Sequence, residues 1–167
     1  EALDFREMAP RMANSKIFLD KMGKQVKDRS LTGALASGTP GLVAGIVNVH
    51  AKYGKLPLSV VMQPAIELAS KGFKVYPALS VAMKEEAKRL CKYKAARNIF
   101  LKKKCKPYKA GDLLVQKDLA KTLMLIASKG HDGFYKGFVA QLNSSGGEVW
   151  GLQTSGTADE KLLAACP

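Results

Sequence analysis

The sequence predicts a mixed α and β fold in which helices dominate and strands are confined to the first part of the chain. Residues 2–8 alternate between apolar and charged, which is typical of a half-buried strand. Several later segments carry apolar residues at three- and four-residue spacing, as amphipathic helices do. The chain has 167 residues, of which 47% are hydrophobic and 25% charged, a composition typical of a globular domain.

The N-terminal part is predicted to contain two short strands and a glycine-rich stretch. LDFREMAP follows the alternation and stops at Pro10, and KIFLDKMGKQV predicts a second strand that turns around Gly23. In TPG, Thr39 is suited to cap a helix and Pro40 to occupy its first turn. The next segment, GLVAGIVNVHAKYG, has helical periodicity and is predicted to end at Gly54.

Two further helices are predicted in the middle of the chain. The first runs from about Pro64 to Ser70 and ends at Gly72, because the proline interrupts the periodic segment that precedes it. The second is one long helix over PALSVAMKEEAKRLCKYKAARNIF, and a basic loop, LKKKCKPYKAGD, follows it. Its apolar face is predicted to contain Leu79, Met83, Ala87, Leu90 and the aliphatic stem of Lys94.

The last ordered part is predicted to be a helix, a turn and a short amphipathic helix. In DLLVQKDLAKTLMLIASKG, Leu119, Leu123 and Ile126 share a helical face, and Gly130 ends the helix. HDGFYKGFVAQL supplies the turn and the short helix. The tail after it is rich in Gly, Ser and Thr, so irregular structure is expected there, with a final helical turn near residues 161–165.

The chain is strongly basic, with 27 Lys and Arg against 14 Asp and Glu and a net charge of +13. The charge is concentrated in residues 84–109. Such a run is most often a solvated helix face followed by a basic loop, and the alternative is a non-catalytic helical protein that binds polyanions through Lys84–Lys109. Nucleic acid is not expected as a partner, because aromatic residues make up 7% of the chain and no zinc-finger, helix-turn-helix or RNP motif is present.

The cysteines and histidines predict no metal site. Cys91, Cys105 and Cys166 are odd in number and widely spaced, so they do not form a disulfide framework, and the first two can pair only where the fold brings them together. His50 and His131 do not stand at metal-ligand spacing from the cysteines. No apolar run reaches the roughly 20 residues that span a bilayer, and no signal peptide is recognised at the start.

No phosphate-binding loop, dinucleotide fingerprint or nucleophile elbow is present. The candidate binding residue that remains is Arg6. In a regular strand, Asp4 and Arg6 share one face while Phe5 and Glu7 take the other. A guanidinium held by a neighbouring carboxylate can bind a substrate carboxylate through two hydrogen bonds. From spacing alone, a structural salt bridge is the commoner explanation, and lone carboxylates such as Asp112 are usually solvated.

Four blocks in order resemble the large subunit of bacterial gamma-glutamyltranspeptidases: LDFREMAP, SLTGALASGTPGLVAG, KYGKLPLSVVMQPAIELASKGF and GDLLVQKDLAKTLMLIASKGHDGFYKG. The resemblance covers residues 1–142, and Gly146–Gly147 continue it. It implies an α/β (α+β) chain that is the helix-rich, incomplete part of the αββα fold of N-terminal nucleophile hydrolases. It also implies a partial large-subunit domain over residues 1–142 and an aberrant, irregular tail over residues 143–167.

The resemblance further implies an acyltransferase and hydrolase of glutathione metabolism. In this family a precursor cleaves itself into a large and a small subunit, and the new N-terminal threonine of the small subunit attacks the gamma-glutamyl amide of glutathione. The acyl group then passes to water, amino acids or peptides, without a metal or organic cofactor. Bacterial members are periplasmic or secreted, so the same location is expected for this chain.

Residue by residue, the resemblance assigns a role to Arg6. It corresponds to the arginine of the family's FRE block, which binds the α-carboxylate of the glutamyl substrate. No residue here matches the threonine nucleophile, and Thr39, Thr122, Thr154 and Thr157 lie in other contexts. The sequence after Gly147 also departs from the family. We therefore expect an internal fragment that contributes Arg6, depends on a small subunit and is inactive alone.

Overall fold

Helices account for most of the regular backbone in the computed structural model, which describes residues 2–10 and 13–144. The seven α-helices of this part of the chain are α1 Leu42–Tyr53, α2 Leu58–Lys71, α3 Pro77–Lys92, α4 Lys94–Phe100, α5 Lys117–Lys129, α6 Asp132–Tyr135 and α7 Gly137–Ser144. Its four strands are β1 Phe73–Lys74, β2 Leu101–Lys102, β3 Lys106–Pro107 and β4 Leu113–Leu114. Short 3-10 helices span Ala34–Ala36 and Lys103–Cys105. The predicted dominance of helix is confirmed.

The chain divides into two units. The first unit consists of Glu1–Lys55 and Lys129–Pro167, and the second unit of Leu56–Ser128. Apart from its first two residues, the predicted irregular tail over residues 143–167 lies outside the described residues, as do Cys166 and the helical turn expected near residues 161–165. The domain division at residue 142 therefore stays a prediction.

The two strands predicted in the first unit are wrong. Residues 2–7 form no strand, and Met8 makes a single antiparallel bridge with Thr39, through N–H···O distances of 3.2 and 2.8 Å. In the second stretch, Leu19 makes one bridge with Gln25. The side chain of Asp20 accepts backbone N–H groups of Met22 and Lys24 at 2.8 and 2.9 Å. Local side-chain hydrogen bonds of this kind compete with a strand ladder and favour turns.

Helix α1 begins later than the sequence predicts and ends where predicted. Its first residue is Leu42 and its N-cap is Gly41, which has no side chain to cap the helix, so Thr39 is not the cap. Thr39 is instead buried, with its backbone paired to Met8. At the other end, the N–H of Gly54 donates to the carbonyl of His50 at 2.7 Å and closes the helix.

Helix α2 continues through Pro64, which the sequence predicted as a helix start. A proline inside a helix removes the hydrogen bond to the carbonyl four residues earlier, here that of Val60. Val60 is 54% exposed, so water can reach this part of the helix and offset the lost bond. The helix ends at Gly72, as predicted, because the left-handed φ of 86° at that position favours glycine.

The predicted long helix over residues 77–100 is broken in two. Tyr93 has the extended φ and ψ values of −106° and 115° and separates α3 from α4. The apolar face of α3 is confirmed: Met83 joins Val75 and Leu114 in a buried core, and Leu79 packs against it. Lys94 begins α4 as an exposed residue, so it does not extend that face.

The predicted basic loop of the second unit contains a small hairpin. Strands β2 and β3 pair antiparallel, with Leu101 opposite Pro107, and β1 pairs antiparallel with β4, with Phe73 opposite Leu114. A disulfide joins Cys91 in α3 to Cys105 next to β3, with the Cα atoms 5.7 Å apart, a separation typical of disulfides. The fold therefore brings together Cys91 and Cys105, whose pairing the sequence did not decide.

Helix α5 has the predicted extent but a slightly different buried face. It spans Lys117–Lys129, and Gly130 follows it with a positive φ of 56°. Leu119 is 43% exposed, whereas Ala120 and Ile126 are buried. The buried face therefore contains Ala120 in place of the predicted Leu119 and keeps the predicted Ile126. No helix in residues 2–10 and 13–144 is long and apolar enough to cross a membrane.

Candidate anion-binding site at Arg6

Arg6 lies on an extended segment with its side chain in solvent. The side chain is 83% exposed, and its Nη2 atom pairs with the Oε1 atom of Glu7 at 3.1 Å. The partner expected from strand geometry, Asp4, makes a different contact: its Oδ1 atom accepts the backbone N–H of Arg6 at 3.1 Å. The neighbouring carboxylate that holds the guanidinium is therefore Glu7, whereas Asp4, which would share a face with Arg6 in a regular strand, contacts the backbone of Arg6.

The charge state of Glu7 favours the ion pair. Hydrogen bonding to its own backbone N–H, followed by the hydrogen bond and charge of Arg6, holds the pKa of Glu7 below its usual range. Glu7 is therefore ionised at neutral pH. An exposed Arg–Glu pair contributes little to stability, so an incoming carboxylate can compete with Glu7 for the planar fork of Arg6.

Three glycines of α1 and the loop before it allow the Arg6 segment to approach closely. A Cβ atom on Gly45 would overlap the ring of Phe5, and one on Gly41 would overlap the backbone carbonyl of that residue. A Cβ atom on Gly38 would lie 2.9 Å from Cγ of Glu7. The glycines of SGTPGLVAG are thus required for the close packing of α1 and the loop before it against residues 5–7.

A tyrosine that the sequence placed only in a turn also anchors this loop. The hydroxyl of Tyr135 donates to the carbonyl oxygen of Pro40 at 2.7 Å and accepts the backbone N–H of Ala44 at 3.1 Å. Its ring stacks on His131, with centroids 4.5 Å apart. The block DGFYKG was the available signal, but nothing in its spacing indicates a partner more than 90 residues away.

The remaining sequence candidates do not assemble into a second site. Asp112 pairs with Lys102 at 2.5 Å and accepts the backbone N–H of Lys109 at 2.6 Å. These contacts hold the pKa of Asp112 below its usual range, Lys102 contributing most. His131 lies 3.3 Å from Asp132. The described residues contain no group of three or more His, Cys, Asp or Glu side chains that could hold a metal ion.

The described threonines are also engaged. Thr39 is buried with its backbone in the bridge to Met8. The hydroxyl of Thr32 donates to the carbonyl oxygen of Asp28 at 3.2 Å, and the hydroxyl of Thr122 donates to the carbonyl oxygen of Asp118 within α5 at 3.1 Å. Thr154 and Thr157 lie outside the described residues. Within the part of the chain that the structure describes, the site therefore offers a cation for an anionic ligand, not a nucleophile.

Comparison with known families matches residues 1–145 to a family model described as gamma-glutamyltranspeptidase. The chain belongs to this family. Glutathione hydrolase proenzyme of Escherichia coli K12 is 48% identical over 141 residues, which cover 84% of this chain and 24% of the relative. A glutathione hydrolase proenzyme of Bacillus subtilis is 40% identical over 140 residues, which cover 83% of this chain and 24% of the relative.

Solved structures of family members share the fold. The crystal structure of Helicobacter pylori gamma-glutamyltranspeptidase matches with a TM-score of 0.83 and 45% identity, covering 86% of this chain and 41% of that one. Gamma-glutamyltranspeptidase from Pseudomonas nitroreducens, complexed with L-DON, matches with a TM-score of 0.76 and 37% identity over 86% of this chain and 41% of that one. These matches confirm the predicted family and a partial α/β fold of the N-terminal nucleophile hydrolase type.

The chain spans about a quarter of the length of the curated relatives it matches. Its 24% coverage of the E. coli relative agrees with the expectation of a fragment. The relatives are glutathione hydrolases and gamma-glutamyltranspeptidases, and they give no support to the alternative of a non-catalytic polyanion-binding protein.

Proposed function

We propose that this chain is part of the large subunit of an enzyme that cleaves the gamma-glutamyl amide of glutathione. The acyl group would pass to water, an amino acid or a peptide, without a metal or organic cofactor. Family membership over residues 1–145 and the names of the relatives support this activity. The proposal assigns substrate binding to Arg6 because its guanidinium is exposed and lies in the FRE block of this chain.

Arg6 is proposed to bind the α-carboxylate of the glutamyl substrate. A guanidinium presents a rigid planar fork that matches both oxygens of a carboxylate. The side chain is 83% exposed and its described acidic contact is the exposed Glu7, so exchanging one carboxylate for another costs little desolvation. The close contacts of Gly38, Gly41 and Gly45 hold the backbone of residues 5–7 and thereby determine the direction of the Arg6 side chain.

The nucleophile and its base are proposed to come from a small subunit that carries an N-terminal threonine, released by self-cleavage of a precursor. The engagement of Thr39 and Thr122 supports this division of roles. An N-terminal threonine can use its own α-amine as the base. The chain alone would then bind the glutamyl group weakly and would not turn it over.

A periplasmic or secreted location is also proposed. The disulfide between Cys91 and Cys105 supports it, because disulfides persist in oxidising compartments and are rare in the reducing cytosol. The disulfide supports this location independently of the family resemblance, since the sequence alone did not pair these cysteines.

The role of Arg6 can be tested in a chimera that places residues 1–145 of this chain in the matching segment of the E. coli relative. Arg6→Ala should raise KM for a gamma-glutamyl anilide by about 10- to 150-fold, since a hydrogen bond to a charged group contributes about 1.5–3 kcal/mol. Arg6→Lys should recover only part of the loss, because lysine lacks the planar fork. The purified chain by itself should show no turnover.

Arg89→Ala is the matched control. Arg89 is also an exposed arginine paired with a glutamate, its Nε atom lying 2.7 Å from Oε2 of Glu86 in α3. Its removal should leave KM unchanged. An Arg6→Ala chimera with the parent KM would refute the binding role, and turnover by the purified chain that disappears in Arg6→Ala would refute the fragment interpretation.

A further inference from the structure

We infer that Tyr135 is a positioning residue for substrate binding: it holds the loop of residues 38–41, and this loop holds Arg6. The inference rests on the proposed role of Arg6. Tyr135 lies 129 positions after Arg6 in the numbering, in the segment that the sequence predicted to be a turn and a short helix. Three sets of contacts within the first unit link the two residues.

The first link joins Tyr135 to the start of α1. The first N–H groups of a helix have no acceptor within the helix, and the N-cap Gly41 provides no side chain to accept one. The Tyr135 hydroxyl accepts the N–H of Ala44 at 3.1 Å and donates to the carbonyl of Pro40 at 2.7 Å. Tyr135 therefore supplies the cap that Thr39 was predicted to supply, and it ties the helix to the preceding loop.

The second link fixes the direction of that hydroxyl. The ring of Tyr135 stacks on His131 with an interplanar angle of 21°. It also meets Phe134 edge-on, with ring centroids 5.0 Å apart. Aromatic pairs in these arrangements add to the stability of the packed rings. The ring is half-buried and held in place by its neighbours. The hydrogen bonds of its hydroxyl to Pro40 and Ala44 therefore restrain the loop of residues 38–41.

The third link joins the loop to both sides of Arg6. On one side, Thr39, the neighbour of Pro40, exchanges two backbone hydrogen bonds with Met8. On the other side, Gly41 lies so close to the backbone of Phe5 that a methyl group there would displace it. A shift of residues 39–41 therefore moves the backbone before and after Arg6, and with it the guanidinium.

Tyr135→Phe tests the inference, because it removes the hydroxyl and keeps the stacked ring. In the full chain, hydrogen exchange should become about fivefold faster at the amide of Ala44 and faster at the amides of Met8 and Thr39, as expected for the loss of a neutral hydrogen bond. Tyr76→Phe, which changes a 57% exposed tyrosine of the second unit, should leave these three amides unchanged. Unchanged exchange in Tyr135→Phe overturns the inference.

The kinetic test uses the chimera and separates positioning from general stability. Tyr135→Phe should raise KM for the gamma-glutamyl anilide by about fivefold, with kcat unchanged. In an Arg6→Ala background it should cause no further rise, because its effect passes through Arg6. A rise that persists in that background overturns the inference. If Arg6→Ala itself leaves KM unchanged, the proposed substrate role of Arg6 fails, and the exchange data still report whether Tyr135 holds the loop.

Discussion

The two units hold their structure by different means. The second unit has an apolar core of its own, in which Val75, Met83 and Leu114 are almost completely buried, and a disulfide that links α3 to the hairpin. The first unit carries Arg6 on a segment without regular structure. There, Met8 and Thr39 form a single bridge and glycines permit close backbone contacts.

Burial shows the same contrast. Among the described residues, the buried apolar side chains of the second unit are Ile66, Ala69, Val75, Met83, Leu101, Leu114, Ala120 and Ile126. In the described part of the first unit, Val139 is the buried apolar side chain and Thr39 the buried polar one. The first unit therefore depends more on hydrogen bonds and on the fit between backbone segments than on hydrophobic burial.

The two units should therefore differ in the substitutions to which their stability is sensitive. In the second unit, the largest effects should come from removing buried apolar volume or the covalent link. In the first unit, adding a single methyl group at a glycine should matter more than removing most exposed apolar side chains. Changes at Leu114, at the disulfide and at Gly41 test this contrast.

Leu114→Ala should have the largest effect. Leu114 is 2% exposed and belongs to the buried core with Val75 and Met83, so its truncation removes apolar burial and leaves a cavity. The free energy of unfolding should fall by about 2–5 kcal/mol, measured by urea denaturation followed by circular dichroism.

Its neighbour provides the control. Leu113 occupies the same two-residue strand but is 57% exposed, and Leu113→Ala should change the free energy of unfolding by less than about 0.5 kcal/mol. Similar losses in the two variants would mean that the second unit lacks the separate core described above.

Breaking the disulfide should have the next largest effect. The bridge joins residues 14 apart in sequence. Closing a loop of about 15 residues lowers the conformational entropy of the unfolded chain and thereby stabilises the folded chain by about 3 kcal/mol. Cys91→Ser with Cys105→Ser should lower the free energy of unfolding by about that amount in oxidising buffer. Cys166→Ser, which keeps both bridged cysteines, is the matched control. A reducing agent should lower the free energy of unfolding of the parent chain to the value of the double variant and no further. A larger fall would mean that the bridge is not the sole redox-sensitive element.

The sequence predicted the helical part of the fold well because helix signals are local. Gly54, Gly72 and Gly130 each follow the last turn of a helix, as their positions after periodic segments indicated. The spacing of Leu79 and Met83 likewise identified the buried face of α3. Strands were mispredicted because a strand needs a partner. Leu3 and Phe5 are half-buried and Asp4 and Arg6 exposed, as alternation requires, yet the described residues provide no ladder for them.

The candidate site was only partly predictable. Arg6 was found through the FRE block, but its environment depends on residues distant in sequence: Gly41 and Gly45 pack on Phe5, and Tyr135 binds the loop. No local pattern specifies such contacts. The disulfide posed the same difficulty, because Cys91 and Cys105 come together only after the chain reverses through the hairpin.

Gly41→Ala should give the smallest of the three effects on stability, about 1–3 kcal/mol, and it tests the first unit directly. The φ of Gly41 is −100°, which alanine adopts without strain, so any loss comes from the new methyl group against the backbone of Phe5 and the carbonyl oxygen of Arg6. Gly38→Ala is the comparison variant, because its methyl group would lie 2.9 Å from Cγ of Glu7 and 3.3 Å from the backbone oxygen of Met8, whereas the methyl group at Gly41 would overlap the backbone oxygen of Phe5. Urea denaturation and hydrogen exchange at Met8 should show a larger loss for Gly41→Ala. Equal losses would mean that the close contact between Gly41 and the backbone of Phe5 does not hold the Arg6 segment, which would contradict the dependence of the first unit on the fit between backbone segments.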